Sequence, residues 1–258
     1  MTRIVLSSLH LHPSSPIEAL SAAREAGFQG VEILCEPPWH PRAWPPSLLR
    51  EVASAADKLS LSLHAPTGDV NLVSRHPDAR RFAEAELSRT IVLAARIGAT
   101  HITVHLGYRS SGVPGEIPYE EAKEILFRLK RRAEDTGVTL CLENDPRSPF
   151  LYLWDLSEWG KWLEELDMSG TLDLGHAWIS HGERLPELLA GLSPRIAVVH
   201  VSDNHGERDE HLPLGAGDIP VRELLGMLKG AEVWVLELMQ SDGIEGSLEL
   251  MRDIMGEG

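Results

Sequence analysis

Eight short apolar runs recur along the chain, each followed by an amphipathic stretch of helical length. The runs are RIVLSS (3–8), GVEIL (30–34), LSLH (61–64), HITVH (101–105), VTLCLE (138–143), GTLDL (170–174), RIAVVHV (195–201) and EVWVLEL (232–238). Strands that are apolar on both faces and alternate with helices form a parallel sheet covered by those helices. Eight strand–helix repeats predict closure into a (β/α)8 TIM barrel, with the active site at the C-terminal ends of the strands. An open doubly wound sheet is the alternative, and it expects a glycine-rich phosphate turn after its first strand. The residues there are SSLHLHPSS. The first helix, PIEALSAAREAG, opens with Pro16 and stops at Gly27, as helix-end chemistry predicts. Further helices are expected over 46–58, 77–98, 118–137, 155–166, 184–191, 220–229 and 244–255. No linker or low-complexity run interrupts this pattern, so residues 1–258 are expected to form one domain.

The formal net charge of −15 weighs against a nucleic-acid partner and leaves it open. The small basic clusters Arg80-Arg81 and Lys130-Arg131-Arg132 fall in helical segments and read as solvated faces. No apolar run is long enough to span a bilayer, so no membrane partner is expected. The N-terminal residues lack the pattern of a secretory signal, and Cys35 and Cys141 lie far apart in strand-like runs. Both features fit a reduced, cytoplasmic protein with packing cysteines.

The polar residues concentrate where such a barrel carries its chemistry. Successive strand ends present His64 in LHAP, His105 in VHLG, Glu143 in LEND, Asp173 and His176 in LDLGH, His200 in VHVSDN, and Glu237 in LELM. The loop after the seventh strand adds Asp209 and His211. Any one of these reads as an ordinary hydrogen-bonded residue. Six consecutive strand ends do not, because burying that many carboxylates uncompensated costs several kcal/mol each. Lys and Arg are nearly absent from the same positions, so a divalent cation is the expected counter-charge. Imidazole plus carboxylate without thiolate suits Zn²⁺, Mn²⁺, Fe²⁺ or Co²⁺. His205, Glu207 and Glu210 read as solvent-facing. The glycines of PLGAGD are expected to let the loop turn sharply and approach the ligand.

The tryptophans divide. Trp39 and Trp44, in EPPWHPRAWPP, either wall a sugar-sized pocket or staple a proline-rich loop, and Trp178 has the same two readings. The helical spacing of Trp154, Trp159 and Trp162 predicts core packing. His10 and His12, near the end of the first strand, are expected to be structural or to support the site from behind its ligands.

Taken together, LDLGH, HVSDN with its following DEHLPLGAGDIP, LEN and the terminal LEL resemble the xylose-isomerase-like barrels. That group includes sugar phosphate isomerase/epimerase proteins and the endonuclease IV family. The resemblance runs from the first strand to the last. Resemblance to the ketose 3-epimerases implies one metal held by Glu143, Asp173, His200 and Glu237. It also implies that Glu143 and Glu237 are an acid/base pair, and that His176 and Arg208 contact substrate. Resemblance to endonuclease IV implies three zinc ions held by His64, His105, Glu143, Asp173, His176, His200, Asp209, His211 and Glu237. The chain departs from that nuclease in three places. HAPTGDVNLVS carries no aromatic residue to enter DNA, LDLGH lacks the Thr-Cys that precedes His, and HVSDNH lacks an Asp-Ser-Lys run. The expectation is therefore a divalent-metal-dependent isomerase or epimerase of a small carbohydrate, phosphorylated or not, with one to three ions of Zn, Mn or Co. The alternative is an endonuclease IV-type phosphodiesterase. A metal-binding barrel without catalysis ranks third, because the acid/base pair is present. Relatives of this kind are monomers or homodimers.

Overall fold

The computed structural model describes residues 2–110 and 115–256. Eight parallel strands follow one another around a closed barrel: β1 (Arg3–Ser7), β2 (Gly30–Leu34), β3 (Ser60–His64), β4 (His101–Val104), β5 (Thr139–Glu143), β6 (Ser169–Asp173), β7 (Ile196–Val201) and β8 (Val233–Leu236). Closure is made by β1 against β8, with Arg3 beside Val233 and Leu6 beside Leu236. Among the described residues the helices are α1 (Pro16–Glu25), α2 (Pro46–Ala56), α3 (Pro77–Ile97), α4 (Tyr119–Glu134), α5 (Leu156–Glu165), α6 (Leu174–His181), α7 (Leu185–Leu192), α8 (Val221–Met227) and α9 (Ile244–Met255). None is long and apolar enough to cross a membrane.

Local chemistry explains most of these boundaries. Ser15 and Glu18 form a reciprocal capping box at the start of α1, and Pro16 occupies its first turn. Gly98 ends α3 in the left-handed conformation. One element departs from the sequence expectation. A single helix is expected after β6, over 184–191, but the chain makes α6 directly from the strand end and then α7. Asp173 closes β6 and caps α6 at once, its carboxylate accepting from the His176 amide at 2.7 Å. The short segment LGHAWISH shows little polar/apolar periodicity, so the pattern that reveals the other helices is weak there.

The strands present one row of side chains to the surrounding helices and the other to the barrel interior. The outer row belongs to a large continuous core that includes Ile4, Leu6, Ile33, Leu63, Ile102, Leu142, Leu172 and Trp234. Inside, Val5, Cys141, Val198, Val233 and Val235 form a small apolar plug. Above and beside it the interior is polar: Glu32, Ser62, Thr103 and Thr171 are all buried, and the two threonine hydroxyls meet at 2.9 Å. Cys35 and Cys141 are free thiols with no exposure, and burial raises the pKa of both.

Trp159 and Trp162 pack in the core, as their spacing predicts. Trp154 does not: it is half-buried, with the Arg147 guanidinium 5.3 Å from its ring. It precedes the capped start of α5 and so lies outside the helical face that packs inward. Trp159 is fully buried and donates its indole N–H to the Leu142 carbonyl at 3.1 Å, joining α5 to β5. Trp159→Ala should destabilise the fold by about 3–5 kcal/mol in equilibrium denaturation. A loss below about 1 kcal/mol would show that this seam does not anchor the barrel.

Candidate metal centre

Glu143, the last residue of β5, is 1 % exposed. Its two oxygens face different neighbours. Oε2 lies 2.7 Å from His105 Nε2 and 3.4 Å from His64 Nε2, whereas Oε1 lies 3.2 Å from His200 Nδ1. The same His200 nitrogen is 3.1 Å from Glu237 Oε2 and 4.0 Å from Asp173 Oδ2. Two groups able to hold a cation follow, His64–His105–Glu143 and Glu143–Asp173–His200, and they share Glu143. Glu143 Oε2 and both His200 ring nitrogens are buried and make no aligned hydrogen bond among the described residues. Buried polar atoms are ordinarily paired. Atoms that converge this closely are able to hold a cation at a common point, and a set of imidazoles and carboxylates fits Zn²⁺, Mn²⁺ or Co²⁺.

The surrounding residues fix which ring nitrogen each histidine offers. His64 Nδ1 donates to the Ala65 carbonyl at 2.9 Å, and His105 Nδ1 faces Asp145 Oδ1 at 3.2 Å, so both turn Nε2 toward Glu143. Asp145 is in turn held by the Leu153 amide at 3.0 Å. Asn144 ties the ends of β5 and β6 together: its side chain accepts from the Asp173 amide at 2.8 Å and donates to the Asp173 carbonyl at 3.1 Å. Beneath the centre, His200 Nε2 is 3.0 Å from Glu32 Oε1. Glu32 is fully buried on β2. This carboxylate acts on the ring through its charge, without an aligned hydrogen bond, from the side opposite Nδ1. Glu32, His200 and Glu237 also form a third group of candidate ligands.

The β7–α8 loop returns over the mouth because Asp203 folds it. Asp203 exchanges two 2.9 Å backbone bonds with Leu212, and its carboxylate accepts from Asn204, Gly215 and Ile219 amides. His211 has a positive φ of 49°, which is uncommon for a residue with a side chain. Its Nδ1 donates to the Glu237 carbonyl at 3.1 Å. His211 Nε2 and His176 Nε2 then approach the same oxygen, Asp209 Oδ2, at 3.1 and 3.2 Å.

Some expectations for this region hold and others are revised. The glycines of PLGAGD let the loop turn sharply, as expected, and also pack closely within it. A Cβ on Gly217 would lie 2.4 Å from the Asn204 carbonyl oxygen, and Gly215 has a φ of 87°. Glu210 stays at the surface, as expected, and its carboxylate there receives the His205 amide and ring at 3.0 and 2.9 Å. Arg208 is exposed and is absent from the lining of the mouth, because the loop turns only Asp209 and His211 inward. Trp39 and Trp178 do not line the mouth either. Trp39 donates to the Pro13 carbonyl at 2.9 Å and accepts from the Trp44 indole through its own carbonyl, so this pair staples the proline-rich loop. Trp178 packs against the core.

The mouth is a cavity of about 800 Å³. Apolar walls come from Leu9, Leu34, Val70 and Leu151, and its floor holds Glu143, Glu237, His64, His105, His176 and His211. No Lys or Arg lines it among the described residues. Sequence reasoning missed Glu32, Glu36, Asp145 and Asp203. The signal for Glu32 was a lone carboxylate inside the apolar run GVEIL. Glu36 accepts from Thr67 and Gly68 at the cavity wall.

The carboxylates and imidazoles of the site shift one another's proton affinities. Burial opposes charging His105, but Glu143 and Asp145 raise its pKa to about 10. Burial likewise opposes charging His211, and Asp209 and Glu237 raise it to about 9. His64, His176 and His200 are also raised, in each case against the cost of burial, by the carboxylates around them. Glu143 is lowered well below its usual value and Glu237 to about 2: burial raises both, and the neighbouring imidazolium charges prevail. Asp173 alone goes up, to about 6, because burial outweighs the attraction of His176.

The family model described as a xylose isomerase-like TIM barrel matches residues 20–254. An uncharacterized protein of Methanocaldococcus jannaschii, MJ1614, is 30% identical over 212 residues, which is 80% of each chain. A probable endonuclease 4 of Mycobacterium tuberculosis is 27% identical over 260 residues, covering 94% of this chain and 97% of its own. A crystal structure of a D-tagatose 3-epimerase-like protein superposes with a TM-score of 0.85 at 24% identity, covering 99% of this chain and 97% of the other. That likeness establishes the shared fold.

Two outcomes follow from the geometry. Ligating histidines must be neutral, so a cation has to displace protons held on residues with raised pKa values. Calorimetric titration with Zn²⁺ in buffers of different ionisation heat should report more than one proton released per chain near pH 7, with affinity strengthening as pH rises toward about 9. Binding without proton release would contradict this charge exchange. Glu32→Ala should weaken metal affinity about 10–100-fold, measured by chelator competition. Unchanged affinity would mean that Glu32 does not act on His200.

Proposed function

The chain belongs to the xylose isomerase-like TIM barrel family, and from that premise we propose that it is a divalent-metal-dependent isomerase or epimerase of a small polyhydroxylated substrate. The observation that carries this reading is the pairing of Glu143 and Glu237. They come from β5 and from the end of β8, and their carboxylates lie 3.2 and 3.1 Å from the same His200 nitrogen. They stand at the floor of an 800 Å³ cavity, a size suited to a small molecule.

A cation held by Glu143, Asp173, His200 and Glu237 would polarise a substrate carbonyl and the hydroxyl beside it. The chain's own groups do the rest. One of the two glutamates takes the proton from the carbon next to the carbonyl, and the other returns a proton to the opposite face or the adjacent carbon. His176 and His211 line the cavity beside them and hold Asp209 between their rings, so that its carboxylate is the group placed to meet substrate hydroxyls. The apolar walls keep water away from the reacting carbon.

A second reading has its own support. Glu143 divides its oxygens between two candidate metal groups, and Asp209 gathers His176 and His211 into a further cluster. Several cations on one face of a barrel suit hydrolysis of a phosphodiester. The acidic mouth, lined by no Lys or Arg among the described residues, opposes a nucleic-acid backbone there.

Elemental analysis of purified protein separates the two: one ion per chain supports the isomerase, and two or three support the hydrolase. A screen of ketoses for proton exchange with solvent should find a substrate. Glu237→Gln should then lower exchange by about 10²–10⁴-fold with the fold intact. Incision of an abasic-site duplex by the wild type, with no exchange on any ketose, would overturn the proposal.

A further inference from the structure

Beside the mouth, and sharing Leu151 with it, lies a second cavity of about 630 Å³ between the loops that follow β4 and β5. Its character is opposite to that of the mouth. Arg109 and Arg147 line it together with Tyr119, Tyr152 and Trp154, and no carboxylate does among the described residues. Both arginines are exposed at the rim of this cavity, and neither forms an ion pair among the described residues.

The cavity is braced. Tyr108 and Leu151 pair as an isolated antiparallel bridge, and the Arg109 amide donates to the Phe150 carbonyl at 2.7 Å. The Arg147 guanidinium lies over the Trp154 ring at 5.3 Å, which limits its conformational freedom. Tyr119 meets Tyr152 edge-on at 5.9 Å and Trp162 at 5.7 Å, which makes a stiff aromatic wall. The Arg109 charge reaches that wall: burial and Tyr152 raise the Tyr119 phenol, and Arg109 pulls it back.

We propose that this cleft holds the phosphate monoester of a phosphorylated substrate whose reacting carbons lie in the mouth. The inference rests on the isomerase reading and names its substrate class. Two unpaired guanidiniums match a dianion in charge, and their planar donor sets suit phosphate oxygens. The aromatic walls take the apolar faces of the chain or ring that carries the phosphate. A remote anchor of this kind supplies binding energy that orients the reacting end. The cationic cleft beside an anionic mouth also sets polarity, with the phosphate outward and the carbonyl end toward the glutamates.

The test uses metal-loaded protein titrated calorimetrically with inorganic phosphate. Wild type should bind one phosphate. Arg109→Gln/Arg147→Gln should weaken that binding at least tenfold while leaving metal content and melting temperature unchanged. Glu237→Gln should retain it, and Arg222→Gln, on the far surface, should behave as wild type. No binding by wild type would overturn the proposal, as would loss in Glu237→Gln with retention in the arginine double variant, which assigns phosphate to the metal centre. Tighter binding of an abasic-site oligonucleotide through the same arginines would also overturn it, by giving the cleft to nucleic acid. If phosphate binds as stated but no ketose or ketose phosphate exchanges protons, the cleft stands and the isomerase reading falls.

Discussion

Glu143 turns one oxygen toward His64 and His105 and the other toward His200, and the mouth of the barrel is organised around that division. A fully buried carboxylate is unstable alone. Here it is offset by imidazoles from β3, from the end of β4 and from β7, three elements that meet only because the sheet closes. A carbonyl or a carboxylate stands behind each imidazole: Ala65 behind His64 and Asp145 behind His105, each within hydrogen-bond reach, and Glu32 beside His200 as a charge. The charge balance therefore runs two layers deep. The carboxylates in turn raise the pKa values of His64, His105, His176, His200 and His211 against the cost of burial.

The loop after β7 shows how a mobile-looking segment becomes part of a precise site. Asp203, which contacts nothing in the cavity, takes three loop amides on its carboxylate and pairs its backbone with Leu212. That fold leaves room only for glycine at 217, and it forces His211 into a left-handed conformation. The strain at His211 is compensated by its bond to the Glu237 carbonyl and by its approach to Asp209. On the opposite rim the loops after β4 and β5 are tied together by the Tyr108–Leu151 bridge. Their exposed arginines give the mouth a cationic edge that net charge conceals.

Much of the barrel was legible in the order of residues. Eight apolar runs of strand length have one economical closed arrangement, and His64, His105, Glu143, Asp173, His200 and Glu237 each fall at or beside the C-terminal end of a run. Where legibility failed, the cause was local. LGHAWISH is too short and too evenly apolar to announce α6 by periodicity, although Asp173 is a good cap. Glu32 was passed over because it lies mid-strand, where alternation alone does not say whether a side chain meets a helix or the barrel axis. Trp39 and Trp44 carry equal signals for a pocket wall and for a loop staple, and only their hydrogen bonds decide for the staple.

Sequence alone determined the strand–helix alternation, the closed barrel and the identity of the polar groups at its mouth, because periodicity and strand ends are properties of neighbours along the chain. Tertiary structure decided which groups share an oxygen, which nitrogen each imidazole offers, and that Arg109 and Arg147 stand unpaired beside the cavity while Arg208 points away. Those facts depend on distances between residues tens of positions apart. Such distances arise only when all eight strands close and the loops that leave them settle against one another.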